Sequence, residues 1–153
     1  MTIEADIAFL EGVPIFRTLG GGALRILAIG AESHTVQAGQ VLFTAGEVAD
    51  CAYVVQLGSF GLRPQGQEAE IIAEPGTLLG EMALLAETIR PVTATAREGA
   101  AVMRISRTMF MKMLESYPDA AQRLCELIAS RADRWAREME QVRATLAHGT
   151  GPR

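Results

Sequence analysis

Gly80, Glu81 and Arg90 lie close enough in the chain to hold a phosphate and a sugar hydroxyl at one place. They belong to the stretch GEMALLAETIRPVTATA, Gly80 to Ala96. A tight glycine turn that opens a helix points backbone N–H groups one way with the helix dipole behind them, which suits an anion. Gly80, followed by the apolar helix-like run Glu81 to Ala86, fits that device. Glu81 is an acceptor suited to a sugar hydroxyl, and without ligand it serves equally as a cap for the helix N-terminus. Arg90 comes after a turn-like stretch and can return to the same spot with a planar, permanently charged fork that suits phosphate. Beyond it Val92 to Ala96 is strand-like, Thr93 and Thr95 alternating with small residues. Met82, Ala83, Leu84, Pro91, Val92 and Thr93 complete the candidate site. Met82, Leu84 and Leu85 read equally as core, and Thr93 and Thr95 as plain strand formers.

The elements around this stretch change character along the chain. Ile3, Ile7 and Leu10 have helical spacing, and Gly12 and Pro14 end that helix. Val13 to Phe16 reads as an apolar plug, and Ala23 to Ile29 as a second helix. From His34 the pattern becomes short strands punctuated by glycine: His34–Gln37, Val41–Thr44, Ala52–Leu57, Ser59–Arg63, Glu70–Ala73, Val92–Arg97 and Ala100–Ile105. Such strands predict a small β-sandwich or barrel. The stretch Gly80 to Arg90 interrupts their rhythm, as a site grafted onto a scaffold does. Ser106 fits an N-cap for a helix over Arg107 to Leu114. Ser116 and Asp119 have capping-box spacing, with Pro118 in the first turn of a last helix that runs to about Ala147.

That last helix carries Ala121, Cys125, Ile128, Ala132, Trp135, Met139, Val142 and Leu146 at the alternating steps of a heptad seam. The reading is a homodimer joined over Ile128, Ala132, Trp135, Met139, Val142 and Leu146. The first turns, with Leu124 and Leu127, pack on the β-domain. The alternative is a helix folded back on its own chain.

The 153 residues are 49% hydrophobic and 21% charged, the balance of one globular domain. A net charge of −4 argues against a nucleic-acid-binding surface over the whole chain. Cys51 and Cys125 lack metal-site spacing and read as reduced core thiols. His34 and His148 are far apart and form no metal cluster. No nucleophile–base constellation is present, so the chain reads as a non-enzyme without a cofactor. No apolar run reaches membrane-spanning length and the N-terminus has no basic n-region, which predicts a cytoplasmic protein.

With these residues the chain resembles the cyclic nucleotide-binding domain, the jelly-roll module of catabolite-activator-type regulators, cyclic-nucleotide-dependent kinase regulatory subunits and gated channels. Val36 to Leu62, with Gly39, Gly46, Gly58 and Tyr53, looks like the family's first strands. Pro75 to Ala96 looks like its phosphate-binding cassette, with Gly80, Glu81, Ala83, Leu84, Arg90 and Thr93 at the family's separations. The resemblance covers about Phe16 to Ile128. It implies an α+β, mainly β fold: a β jelly roll with N-terminal helices and a long C-terminal helix. The divisions would be 1–32 for the helical flank, 33–106 for the roll, 107–147 for hinge and dimerisation helices, and 148–153 for a flexible tail. It also implies that Glu81 accepts from the ribose 2′-hydroxyl, that Gly80 and the backbone after it approach sugar and phosphate, and that Arg90 pairs with the cyclic phosphate. Ala83 and Leu84 would shape the cassette over the ligand.

Pro91 departs from the family pattern. A backbone N–H for the phosphate is common at that position, and a Ser or Thr there favours guanine; proline supplies neither. The expected function is a sensor for a cyclic nucleotide, cAMP rather than cGMP, coupled to a C-terminal dimerisation helix. The alternatives are a degenerate module that dimerises without ligand, or a transcription regulator lacking its DNA-binding domain. Arg153 falls about where the family's helix-turn-helix domain begins, so no DNA binding by this chain is expected.

Overall fold

The computed structural model describes residues 2–149, with side chains at all of these except 132–136 and 146–149. Three helices come first: α1 (Ile3–Glu11), α2 (Pro14–Arg17) and α3 (Gly21–Gly30). The Thr2 hydroxyl caps α1 by accepting from the Ala5 N–H at 3.1 Å. The segment expected as an apolar plug is itself one helical turn. Pro14 sits at its start, where a missing N–H costs nothing, and Ile15 and Phe16 are buried.

Ten strands come next: β1 (Glu32–Val36), β2 (Val41–Phe43), β3 (Val48–Ala49), β4 (Cys51–Leu57), β5 (Phe60–Pro64), β6 (Ile71–Ala73), β7 (Leu78–Leu79), β8 (Thr88–Ile89), β9 (Val92–Ala96) and β10 (Ala100–Ser106). One antiparallel sheet has the order β1-β10-β4-β7 and a second β2-β9-β5-β6, while β3 and β8 form a separate ribbon. This is the β jelly roll, flanked by N-terminal helices and a long C-terminal helix, that the sequence predicts. The two-residue strands β3, β7 and β8 were not expected, because two residues are too few to show a period.

The two middle strands of the first sheet, β4 and β10, are covered on both faces. On β4, Ala52 and Val54 join a core shared with the helices, while Val55 joins the core inside the roll. On β10, Met103 and Ile105 face the helices, and Ala100 and Val102 the roll. Strands covered on both sides lose polar alternation, which is why CAYVVQL and AAVMRIS read as nearly unbroken apolar runs. In the second sheet alternation survives: Ala94 and Ala96 of β9 are buried, and Thr93 and Thr95 are not.

Two helices complete the chain beyond the roll. The Ser106 hydroxyl caps α4 (Arg107–Ser116) by accepting from the Met109 N–H at 3.2 Å. Ser116, expected to cap the next helix, is instead the last residue of α4; Tyr117 alone separates it from α5 (Pro118–Gly149). The first turns of α5 bury Ala120 and Leu124, and Leu127 and Ile128 pack partly against the same helical core. Arg123 fastens this part by donating from Nε to the Thr18 carbonyl at 2.6 Å and from Nη2 to the Leu19 carbonyl at 3.1 Å. The packing stripe is therefore offset by one residue from the heptad seam. Two expectations change accordingly. Cys125, expected in the core, is exposed, and Ile128, expected at a dimer seam, is engaged by its own chain. Met139 and Val142 are half-exposed. The side chains of Ala132, Trp135 and Leu146 lie outside the described residues. Among the described residues, no helix is long and apolar enough to cross a membrane.

The helical core gives a stability prediction. The Phe110 ring is buried 6.2 Å from that of Phe16. Phe110→Ala should lower the unfolding free energy by about 3–5 kcal/mol in urea titrations. Lys112→Ala, exposed on the same helix, should change it by less than about 0.5 kcal/mol. Similar effects at the two positions would contradict this packing.

Candidate functional site

Gly80 stands between β7 and the cassette with φ 79° and ψ 39°, a left-handed conformation that glycine adopts without penalty. The next four residues, Glu81–Leu84, form a 3-10 turn and not the helix the sequence predicts. The turn closes with the Ala83 N–H donating to the Gly80 carbonyl at 3.0 Å and the Leu85 N–H to the Met82 carbonyl at 3.1 Å. So short a turn lacks a useful dipole, which removes one part of the expected anion cradle. Tertiary pairing overrides the helix-forming residues here. The chain must return within a few residues so that Thr88 and Ile89 pair with Ala49 and Val48.

The ribbon of β3 and β8 delivers Arg90. Its N–H donates to the Glu47 carbonyl at 2.7 Å, and its own carbonyl accepts from the Gly46 N–H at 2.8 Å. The side chain then turns inward and is only 5% exposed; among the described residues it is the one buried polar or charged residue. The guanidinium carbon lies 4.4 Å from the Phe43 ring centroid and 5.6 Å from that of Tyr53. Those rings stack on each other with centroids 6.0 Å apart. Nη2 contacts the Cys51 Sγ at 3.3 Å. Nη1 is buried without a partner, directly beside the Cα of Gly80, where a Cβ would run into it.

Gly80, Glu81, Met82 and Ala83 line a cavity of about 330 Å³ together with Thr88, Ile89, Arg90, Pro91 and Ala49. Six of the expected site residues, Gly80 to Ala83 with Arg90 and Pro91, thus meet at one place. Met82, read equally as core, is 58% exposed at this cavity. Leu84 instead packs in the helical core, and Val92 packs against the core of the roll. Thr93 is not a wall of the cavity; its hydroxyl oxygen accepts from the Ala45 N–H at 2.9 Å and so steadies the loop before Glu47. Glu81 is half-exposed, and its Oε2 accepts from Arg131 Nη1 of α5 at 3.4 Å. A larger cavity of about 580 Å³ lies between α1 and the first sheet, with Asp6, Phe9 and Leu57 in its walls. No cation lines it. A third cavity, of about 270 Å³, has Arg104 in its wall, but that guanidinium already faces Glu32 at 3.8 Å and Asp50 at 3.6 Å.

Sequence reasoning missed Phe43, Cys51 and Tyr53, which surround Arg90, and Ala49, Thr88 and Ile89, which complete the cavity. Nothing in residue spacing ties the first three to Arg90. The others sit on strands too short to show a pattern. Among the described residues, no group of three acidic, His or Cys side chains is placed to hold a metal ion.

Comparison with known proteins adds a lineage to this geometry. The family described as the cyclic nucleotide-binding domain matches residues 33–117, 85 of the 153 positions. The structure of a cyclic nucleotide-binding-like protein from Brucella abortus bv. 1 str. 9-941 is 41% identical, with a TM-score of 0.65, and covers 72% of this chain and 98% of its own. An uncharacterized NTE family protein of Mycobacterium tuberculosis is 34% identical over 110 residues, 71% of this chain and 19% of that protein. The cAMP-dependent protein kinase regulatory subunit of Yarrowia lipolytica is 31% identical over 107 residues, 69% of this chain and 28% of the subunit. The chain therefore spans less than a third of the length of either of these two relatives.

Two measurements test the geometry around Arg90. Burial pushes the Tyr53 hydroxyl up to about 12 from 10.0, and the neighbouring Cys51 thiol raises it further than Arg90 and Arg104 lower it. In a Tyr117→Phe variant, tyrosinate absorbance should appear with a midpoint near 12 rather than 10. Because the fold favours neutral Tyr53, its contribution is complete below pH 10 and is lost as pH rises towards 12. Gly80→Ala meets both the left-handed backbone and Arg90 Nη1. It should lose about 1–2 kcal/mol or more in denaturant titrations, and an unchanged midpoint would contradict the placement.

Proposed function

The chain belongs to the cyclic nucleotide-binding domain family, and from that premise we propose that it is a sensor that binds a cyclic nucleotide, cAMP in preference to cGMP, between Gly80–Ala83 and Thr88–Pro91. One observation carries the reading: Arg90 is buried with Nη1 unpartnered, and Arg90 and Glu81 line the same cavity. A buried donor on a fixed cation seeks an anion, and the carboxylate is an acceptor for a ribose hydroxyl. Pro91 offers neither an N–H nor a hydroxyl beside the phosphate, so nothing at that position favours guanine. The chain acts by binding rather than by catalysis, and we place it in the cytoplasm.

We further propose that α5 is the output and that its distal part joins two copies of the chain. Residues 137–145 are exposed, and among them Met139 and Val142 lie on the heptad seam. The seam then runs from Ala132 through Trp135, Met139 and Val142 to Leu146.

Calorimetry with cAMP and cGMP tests the first proposal. Binding is expected with cAMP tighter, and Arg90→Ala should weaken it by about 30-fold or more. A second reading is favoured by the partners Arg90 already has in Phe43, Tyr53 and Cys51: a module that keeps the fold, dimerises and takes no nucleotide. No heat with either nucleotide at high protein concentration would decide for it. For the dimer, Met139→Glu and Trp135→Glu should each give a monomer by light scattering. If both remain dimeric, the interface lies elsewhere.

A further inference from the structure

The cavity of about 580 Å³ between α1 and the first sheet has no part in the function proposed above. Its size suits a small organic ligand, whose sites measure about 300–1,000 Å³. The sheet is irregular where it meets this cavity. Val102 of β10 faces Val55 of β4, but the next residue, Ala101, faces Leu57. Gln56 is therefore the extra residue of a β-bulge. In a regular strand successive side chains point to opposite faces. From Ala52 to Val55, β4 keeps that rule, alternating between the helical core and the roll. At the bulge the rule lapses, and the consecutive residues Gln56 and Leu57 both line the cavity.

α1 contributes a charge without an answer. Asp6 lines the cavity, and its Oδ1 is buried with no hydrogen-bond partner among the described residues. A buried acceptor without a donor is costly, and more so on a charged group. The other residues of the wall are uncharged. Phe9 and Leu57 supply apolar surface, and Ser33 and Gln56 a hydroxyl and an amide. Leu57 is 66% exposed, so the cavity is open to a ligand from solution.

We propose that this cavity is a second ligand site, for a small organic ammonium ion with an apolar body. An ammonium group has donors and no acceptor. Its N–H donates to Asp6 Oδ1 in a charge-assisted bond, about twice as strong as a neutral one. The Ser33 hydroxyl and the Gln56 amide oxygen are acceptors for its remaining N–H groups, and Phe9 and Leu57 receive the apolar body. An anion of the same shape is repelled by Asp6. The site shares no residue with the cavity of Gly80 and Arg90, so it stands whether or not that cavity takes a nucleotide.

The test titrates the full chain at neutral pH with phenethylammonium chloride and follows amide chemical shifts. Phenethyl alcohol has the same body without the charge, and hydrocinnamate the opposite charge. The ammonium should shift residues 5–9, 33, 56–57 and 101. It should bind about tenfold tighter than the alcohol, and hydrocinnamate should leave these residues unmoved. Asp6→Asn keeps the size of the side chain. It should weaken the ammonium about tenfold and change the alcohol by less than about twofold. Ala101→Leu keeps the carboxylate but fills the cavity, and should weaken both ligands. No shift at these residues up to about 10 mM ammonium overturns the proposal. So does equal affinity for ammonium and alcohol, or Asp6→Asn binding as tight as the unaltered chain's. Should Asp6→Asn not fold, the comparison of ammonium with alcohol and the Ala101→Leu variant still decide.

Discussion

A guanidinium taken out of water is the constraint on which the rest of the molecule depends. Desolvating such an ion costs several kcal/mol, about as much as the whole net stability of a domain. Here that cost is offset piecemeal. The Phe43 and Tyr53 rings lie under the charge, where a desolvated cation–π contact contributes about 2 kcal/mol. The Cys51 sulfur takes one nitrogen. The backbone bonds to Glu47 and Gly46 fix where the side chain departs. Each partner comes from a different segment, so β2, the loop after it, β4 and the cassette must all be in place before Arg90 is tolerated inside. Gly80 completes the arrangement, because any side chain there would take the space of Nη1. One nitrogen, Nη1, is left without a hydrogen-bond partner.

Much of the fold is legible in the sequence, and the parts that are not share a physical cause. Local chemistry showed itself: the Ser106 cap of α4, the alternation in β9 and the glycine-bounded strands each arise from residues that are neighbours in the chain. The placement of Gly80, Glu81, Met82, Ala83, Arg90 and Pro91 around one cavity was legible through the cassette pattern. Glu81 to Ala86 failed as a helix because its residues favour one locally while β3 requires the chain back at Thr88. The rings under Arg90 and the Arg131 bridge to Glu81 join positions tens of residues apart. No propensity or period reports such pairs, which the closed fold alone brings together.

The doubly covered strands β4 and β10 explain how helices and site belong to one body. β4 carries Ala52 and Val54 to the helical core and, one residue out of phase, Tyr53 to the ring stack under Arg90. Any shift of this strand would be felt on both faces at once, since close-packed interiors transmit displacement rather than absorb it. Leu84 works the same way from the cassette, its side chain lying in the core that also holds Leu124 of α5.

α5 is fastened to this body along its first turns, by Leu124 and Arg123, and among the described side chains its last polar contact with the body is at Arg131. A rod held at one end is a lever. From Arg131 to Gly149 the helix measures about 27 Å at ~1.5 Å per residue. A tilt of about 10° at that fulcrum would carry the far end about 5 Å, the length of one helical turn. A displacement too small to notice at the cavity thus becomes, at the tip, the difference between one register of side chains and the next.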